Sequence, residues 1–215
     1  CVTRGNGSED DGGWGIAAGG DPSTHVLPNS DFTITSNISE DNVSGGITLD
    51  PTVPSQSEVI WPQRATISGN VCRNATQHHG IQVTHASDVV ITGNVCSDNQ
   101  QGSGIQVLSS SHVLVQGNMC FGNRNGIGLF SNEVVSDPGY HVLGVNMLDR
   151  NGVDVRHQPI DQGQPLTGVR IHGLNGNTAP EGNVQAEPGT LFELHEGDQG
   201  ALFVKEAGRD DRMAT

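Results

Sequence analysis

Asn70, Asn94 and Asn118 stand 24 residues apart in three versions of one phrase, ISGNVCRN, ITGNVCSDN and VQGNMCFGN. A fixed period in this range marks a chain of stacked structural repeats, because no single unit is large enough to bury its own apolar face. A second phrase travels with the first. Gly80-Ile81-Gln82-Val83 returns as Gly104-Ile105-Gln106-Val107, Gly126-Ile127-Gly128-Leu129 and Gly152-Val153-Asp154-Val155, and is preceded by Gly46-Ile47-Thr48-Leu49 and Gly15-Ile16-Ala17-Ala18. A third phrase leads into each Asn: Phe32-Thr33-Ile34, Ala65-Thr66-Ile67, Val89-Val90-Ile91 and Val113-Leu114-Val115. Each unit thus holds three short segments that alternate apolar and polar residues, with polar turns between them and no helical period.

About 24 residues per turn, at ~3.3 Å per extended residue, enclose a single column of side chains, with coils ~4.8 Å apart. The expected fold is all-β: a right-handed parallel β-helix, a single-stranded solenoid of about six coils. Asn37, Asn70, Asn94, Asn118 and Asn146 then form one ladder, each amide bonded to the next, on backbone angles that an Asn in a turn tolerates. Cys72, Cys96 and Cys120 share one repeat position, where either the Cys or the apolar residue before it points inward. Buried free thiols are the expectation there, against stacked disulfides or a catalytic thiol. Cys1 reads onto the same position, so the visible chain is expected to start in mid-coil, with polypeptide upstream.

Composition agrees with a turn-rich β fold, with only 4% aromatic residues and 30 glycines in 215 residues. The 24 acidic against 10 basic residues, a net charge of −14, leave no basic stripe for nucleic acid. No apolar run reaches the length of a membrane span, so no membrane insertion is expected. Two stretches break the period, LDPTVPSQSEVIWPQ at 49–63 and SNEVVSDPGYH at 131–141. The repeat covers residues 1–172, an irregular linker or last coil covers 173–189, and 190–215 reads as a C-terminal β-hairpin cap or appendage. In that hairpin Leu191-Phe-Glu-Leu and Ala201-Leu-Phe-Val flank a Gly-rich turn.

The repeat resembles that of pectate-lyase-like right-handed β-helix proteins. The tail PGTLFELHEGDQGALFVKEAG is similar to a segment near the ends of bacteriophage tail-fibre and other virion proteins, without the aromatic ending usual there. Together these imply a virion structural or receptor-binding protein of tailspike or tail-fibre type. Such a protein is expected to be a homotrimer, in a virion or outside the cell, that contacts other virion proteins and recognises a host surface polysaccharide. The alternative is a secreted polysaccharide lyase, hydrolase or epimerase; an adhesin without catalysis is a third reading. The catalytic phrases of polygalacturonase-like enzymes, pectate lyases and mannuronan epimerases are missing from the repeat strands.

The candidate site is accordingly a face rather than a motif. Thr48, Gln82, Gln106, Gly128 and Asp154 are expected to stack outward, with Asp50, Thr84, Leu108, Phe130 and Arg156 two residues on. Gln82, Thr84 and Gln106 would bond sugar hydroxyls and Phe130 would stack on a ring. For an enzyme, Asp154 would be the acid, Arg156 a charge clamp and His157 the base, with Glu133 on the smaller excursion loop a further candidate. Asp50 and Asp154, about three coils apart, are too distant to cooperate as glycosidase carboxyls. Cofactors are expected to be none, with calcium possible. No metal site is expected from His78, His79, His85 or His112, which lie in turns without completing ligands.

Overall fold

The computed structural model describes residues 1–8, 13–19, 30–51, 61–131, 141–159, 170–171, 174–176, 191–196, 199–205 and 213–214. Their strands build three six-stranded parallel sheets, and each coil gives one strand to each sheet. The cysteine sheet stacks Val2–Arg4, Ile38–Glu40, Val71–Arg73, Val95–Ser97, Met119–Phe121 and Met147–Asp149. The glycine sheet stacks Trp14–Ala18, Gly45–Leu49, Ile81–Thr84, Ser103–Leu108, Asn125–Ser131 and Val153–Pro159. The lead-in sheet stacks Ser30–Thr35, Gln63–Ser68, Ser87–Thr92, Ser111–Gln116, His141–Leu143 and Arg170–Ile171. The fold is the parallel β-helix that the period predicts.

The core consists of stacked columns. Ile47, Ile81, Ile105, Ile127 and Val155 form one; Leu49, Val83, Val107 and Leu129 form the next. The lead-in sheet adds Ile34, Ile67, Ile91, Val115 and Leu143. In the cysteine sheet Cys72, Cys96 and Cys120 are in register and fully buried, with Ser39 before them and Leu148 after. The Cys therefore points inward and its apolar neighbour outward. All three thiols are free. Hydrogen bonds with the Cys120 and Cys72 thiols, and then burial, push the Cys96 thiol well above its ordinary value. A protonated thiol shut away from water is a core side chain and a poor nucleophile.

The two repeated phrases travel together because they touch. A Cβ at Gly80 would lie 2.6 Å from the Gly104 carbonyl oxygen and 3.1 Å from Cys96 Cβ, and Gly104 stands in the same relation to Gly126 and Cys120. Each glycine thus leaves room for the cysteine one coil on.

Asn70, Asn94, Asn118 and Asn146 are buried at the corner before the cysteine sheet. Asn94 shows the pattern. Its Oδ1 accepts from the Asn70 backbone N–H and from Asn70 Nδ2, both at 2.9 Å, while its own Nδ2 donates to Asn118 Oδ1 at 3.0 Å and to the Ile67 carbonyl at 2.9 Å. The left-handed backbone angle expected of the Asn belongs to the residue before it: Ser36, Gly69, Gly93 and Gly117 have φ of 56°, 62°, 64° and 66°. Glycine meets that demand without a Cβ penalty, which is why the phrase reads Gly-Asn.

A second ladder, which the sequence reading missed, runs five residues downstream. Asn99 Nδ2 donates to Asn123 Oδ1 at 2.8 Å, and Asn123 Nδ2 donates to Asn151 Oδ1 at 3.0 Å. Asn42 holds the same position in its coil, and Ala75 interrupts the column. Cys1 needs correction too. Val2 pairs with Ile38 and Thr3 with Ser39, so Thr3 takes the cysteine position and the exposed Cys1 falls at the place of Asn37.

Beyond the coils, Leu191–Glu196 pairs antiparallel with Gln199–Lys205 in the expected hairpin, Leu191 opposite Val204. Leu174–Gly176 and Met213–Ala214 extend it to four strands. The expected boundaries at 172/173 and 189/190 lie outside the described residues.

Two stability measurements follow from the ladders. Asn94→Ala strands buried donors and acceptors on both neighbouring coils and is expected to cost about 3 kcal/mol or more in chemical denaturation, while Asn37→Ala, at the end of the column, costs about 1 kcal/mol. Ala75→Asn closes the gap in the second ladder and is expected to raise stability by about 1 kcal/mol.

Candidate functional site

The outer face of the glycine sheet is set by pairing register. Ala17, Thr48, Gln82, Gln106, Gly128 and Arg156 lie opposite one another in successive strands. Beside them run Thr84, Leu108, Phe130 and Gln158. The face therefore brings together Gln82, Thr84, Gln106 and Phe130, as the sequence suggests. Gln82 Nε2 donates to Thr84 Oγ1 at 3.0 Å, and Thr48 Oγ1 donates to Asp50 Oδ2 at 2.9 Å. Gln82, Gln106 and Arg156 are half-buried, whereas Thr48 is fully buried. Phe130 is only 7% exposed, and its ring lies over Gly128, where a Cβ would come within 2.4 Å of it. The glycine makes room for the ring, and the ring seals the sheet at that coil.

The last strand departs from the expected alignment. Val155, not Val153, pairs with Ile127, and Arg156 pairs with Gly128. This slip of two residues keeps the inward and outward sets intact, since side chains alternate with period 2. Its effect is to place Arg156 in the column of Gln82 and Gln106, and to move Asp154 to the glycine position at the corner. There Asp154 Oδ1 accepts from Asn151 Nδ2 at 3.2 Å, which ends the second ladder on a carboxylate. Asp50 and Asp154 are separated by four strand steps rather than three, or ~19 Å. Their distance excludes a paired-carboxylate mechanism. His157 lies opposite Leu129 in the pairing register. Glu133 lies outside the described residues.

Two aromatic groups border the face that the sequence reading left in loops. The half-buried Trp61 meets His85 edge-on, with ring centroids 6.1 Å apart, next to Thr84. At the corner leading into the sheet, Trp14 stacks on His78 at 6.2 Å, and His78 lies 5.9 Å from His79. Their signal was slight: two tryptophans, each well away in sequence from the histidine it meets. His79 Nδ1 accepts from the Ser103 backbone N–H at 2.8 Å. Burial, and then the neighbouring His78, hold His79 down at about 3, so it is a neutral acceptor that ties one coil to the next. Among the described residues no three His, Cys, Asp or Glu side chains converge to hold a metal ion.

A family model described as a right-handed β-helix region matches residues 52–138. Among solved structures, that of the periplasmic alginate epimerase AlgG resembles the chain with a TM-score of 0.55 and 16% sequence identity, over 74% of this chain and 35% of the epimerase's. The chain thus spans about a third of the structure it matches. No curated protein matches the sequence significantly. These likenesses and the sheet topology define the fold as a right-handed parallel β-helix.

The His79 contact carries a pH dependence. A histidine at about 3 when folded and near 6.5 when unfolded takes up a proton on unfolding between those values, so its contribution is complete above pH 6.5 and declines as pH falls toward 3. The loss is at most about 1.4 kcal/mol per pH unit. Melting temperatures measured across that window should fall less steeply for His79→Gln, whose side-chain carbonyl accepts the same hydrogen bond without titrating.

Proposed function

We propose that this chain is a polysaccharide-recognition module of the virion tailspike or tail-fibre kind, working outside the cell, and that it holds a neutral glycan along the outer face of the glycine sheet. The observation that carries this reading is the straight outward column of Gln82, Gln106 and Arg156, flanked by Thr84 and Leu108 and bordered by Trp61. Glutamine, threonine and arginine supply donors and acceptors matched to hydroxyl pairs, and the half-buried Trp61 indole suits the apolar face of a sugar ring. Gln82 and Gln106 lie ~4.8 Å apart on adjacent coils, and Arg156 lies two coils beyond Gln106, past Gly128, a line of polar groups that suits an extended ligand. A net charge of −14 disfavours strongly anionic polymers. The fold shared with a periplasmic alginate epimerase supports a polysaccharide as the class of ligand, and the likeness of the tail to virion segments favours recognition over turnover.

The enzymatic reading has Arg156 as its strongest residue, because Asp154 is engaged by Asn151. The test separates the two. Titration against a panel of neutral and acidic polysaccharides should show binding of a neutral one, weakened about tenfold by Gln106→Ala, which is ~1.4 kcal/mol, and unaffected by Thr92→Ala on the lead-in sheet. Binding confined to acidic polymers would overturn the proposal. Release of reducing ends or unsaturated products, abolished by Arg156→Ala, would establish an enzyme instead.

A further inference from the structure

The thiols of the cysteine sheet are reactive groups that neither the glycan face nor the ladders employ. Cys72, Cys96 and Cys120 stand in direct register on adjacent parallel strands, with Ser39 before them and Leu148 after. All three are free and fully buried. The Cys96 thiol is hydrogen-bonded to both of the others, so the sulfurs are already neighbours. Outside them runs an apolar column, Val2, Ile38, Val71, Val95, Met119 and Met147. On the other side the glycine strands close in, and a Cβ at Gly46 would lie 2.7 Å from Cys72 Cβ. The second ladder fixes the backbone of two of these strands. Asn123 Nδ2 donates to the Cys96 carbonyl at 3.0 Å, and Asn151 Nδ2 to the Cys120 carbonyl at 2.9 Å.

Strand spacing decides which thiols can join. Paired Cα atoms on adjacent strands stand ~4.8 Å apart, inside the roughly 4.4–6.8 Å that a disulfide spans. Cys72 and Cys120 are two strand steps apart, ~9.6 Å, which is beyond that reach. We propose that Cys96 is the shared partner of two mutually exclusive disulfides, Cys72–Cys96 and Cys96–Cys120, and that the column is a redox-sensitive clamp locking one pair of adjacent coils at a time. The clamp needs only this column and no part of the glycan face.

The oxidant is a small-molecule disulfide, admitted by local unfolding. One cysteine, as its thiolate, attacks a sulfur of the reagent. The reagent's S–S bond breaks, one half leaves as a thiol, and the other half stays on the protein as a mixed disulfide. The adjacent cysteine thiolate then attacks the protein sulfur of that bond, forms the inter-coil disulfide and releases the second half. Two protein thiols are oxidised, one reagent disulfide is reduced to two thiols, and the two protons pass to those thiols. Because Cys96 serves only one partner at a time, one thiol of the column stays reduced. A relaxed disulfide holds its Cβ atoms about 3.8 Å apart, roughly 1 Å closer than in-register strands do. The bond is therefore strained and readily reduced, which makes the clamp reversible.

The test uses the full chain with Cys1→Ser, which removes the exposed thiol. After incubation with hydroxyethyl disulfide, peptide mapping by mass spectrometry without reductant should find one disulfide per chain, always including Cys96. Cys72→Ser and Cys120→Ser should each still form one, and Cys96→Ser should form none. Serine is accommodated in this column, since the buried Ser39 already occupies it, and Cys96→Ala provides a second variant should the hydroxyl disturb the core. The clamped protein should melt several degrees above the reduced one, and millimolar reduced glutathione should restore all three thiols. Absence of any disulfide, a Cys72–Cys120 bond, a disulfide in both Cys96 variants, a clamped form that melts no higher, or a bond that glutathione leaves intact would each overturn the proposal.

Discussion

A chain that turns three corners per coil leaves, at two of them, a backbone amide that no neighbouring backbone carbonyl receives. The asparagine ladder is the answer to that constraint. One side chain accepts the corner N–H and the side-chain amide of the coil before, and donates to the coil after and to a carbonyl. Because a buried donor without a partner costs more than a made hydrogen bond contributes, the ladder acts chiefly by preventing loss. Everything else in the solenoid assumes it: the sheets stay in register only while the corners stack, and the core columns exist only while the sheets stay in register.

The corners also explain how so lean a composition folds. Few aromatic residues are needed, because the interior is one side chain wide and is filled by columns of Ile, Val and Leu. Where two sheets come closest, glycine and cysteine replace these. The narrowness leaves the outward positions free to differ from side to side. One face became polar with an arginine at its end, and another became a continuous apolar ridge.

Much of this was legible in the sequence, and the failures are informative. The 24-residue spacing of Asn70, Asn94 and Asn118 fixed the stacking direction, because identical residues at a constant interval leave one register. The second ladder was equally regular, with Asn99 and Asn123 also 24 apart, but Ala75 broke it and no conspicuous neighbour marked it. In the last coil the interval lengthens to 28, and the phrase Gly152-Val153-Asp154-Val155 matches the repeat better by letter than by position. Pairing followed Val155, because the slip left the buried set unchanged and put Asp154 where Asn151 could donate to it. At the start, Cys1 matched a repeat letter while Thr3 held its place. Sequence identity is a weaker guide than spacing wherever a coil changes length.

The column of cysteines has a further implication. Cys72, Cys96 and Cys120 are chemically alike and equally buried, and each belongs to a different coil. A thiol reagent reaches each one only when its own coil parts from a neighbour. In a solenoid held together between adjacent units, such opening is local and proceeds from weak points. The protein thus carries, at known heights along its axis, three built-in clocks of breathing. Comparing their rates of modification would show from which end the stack frays.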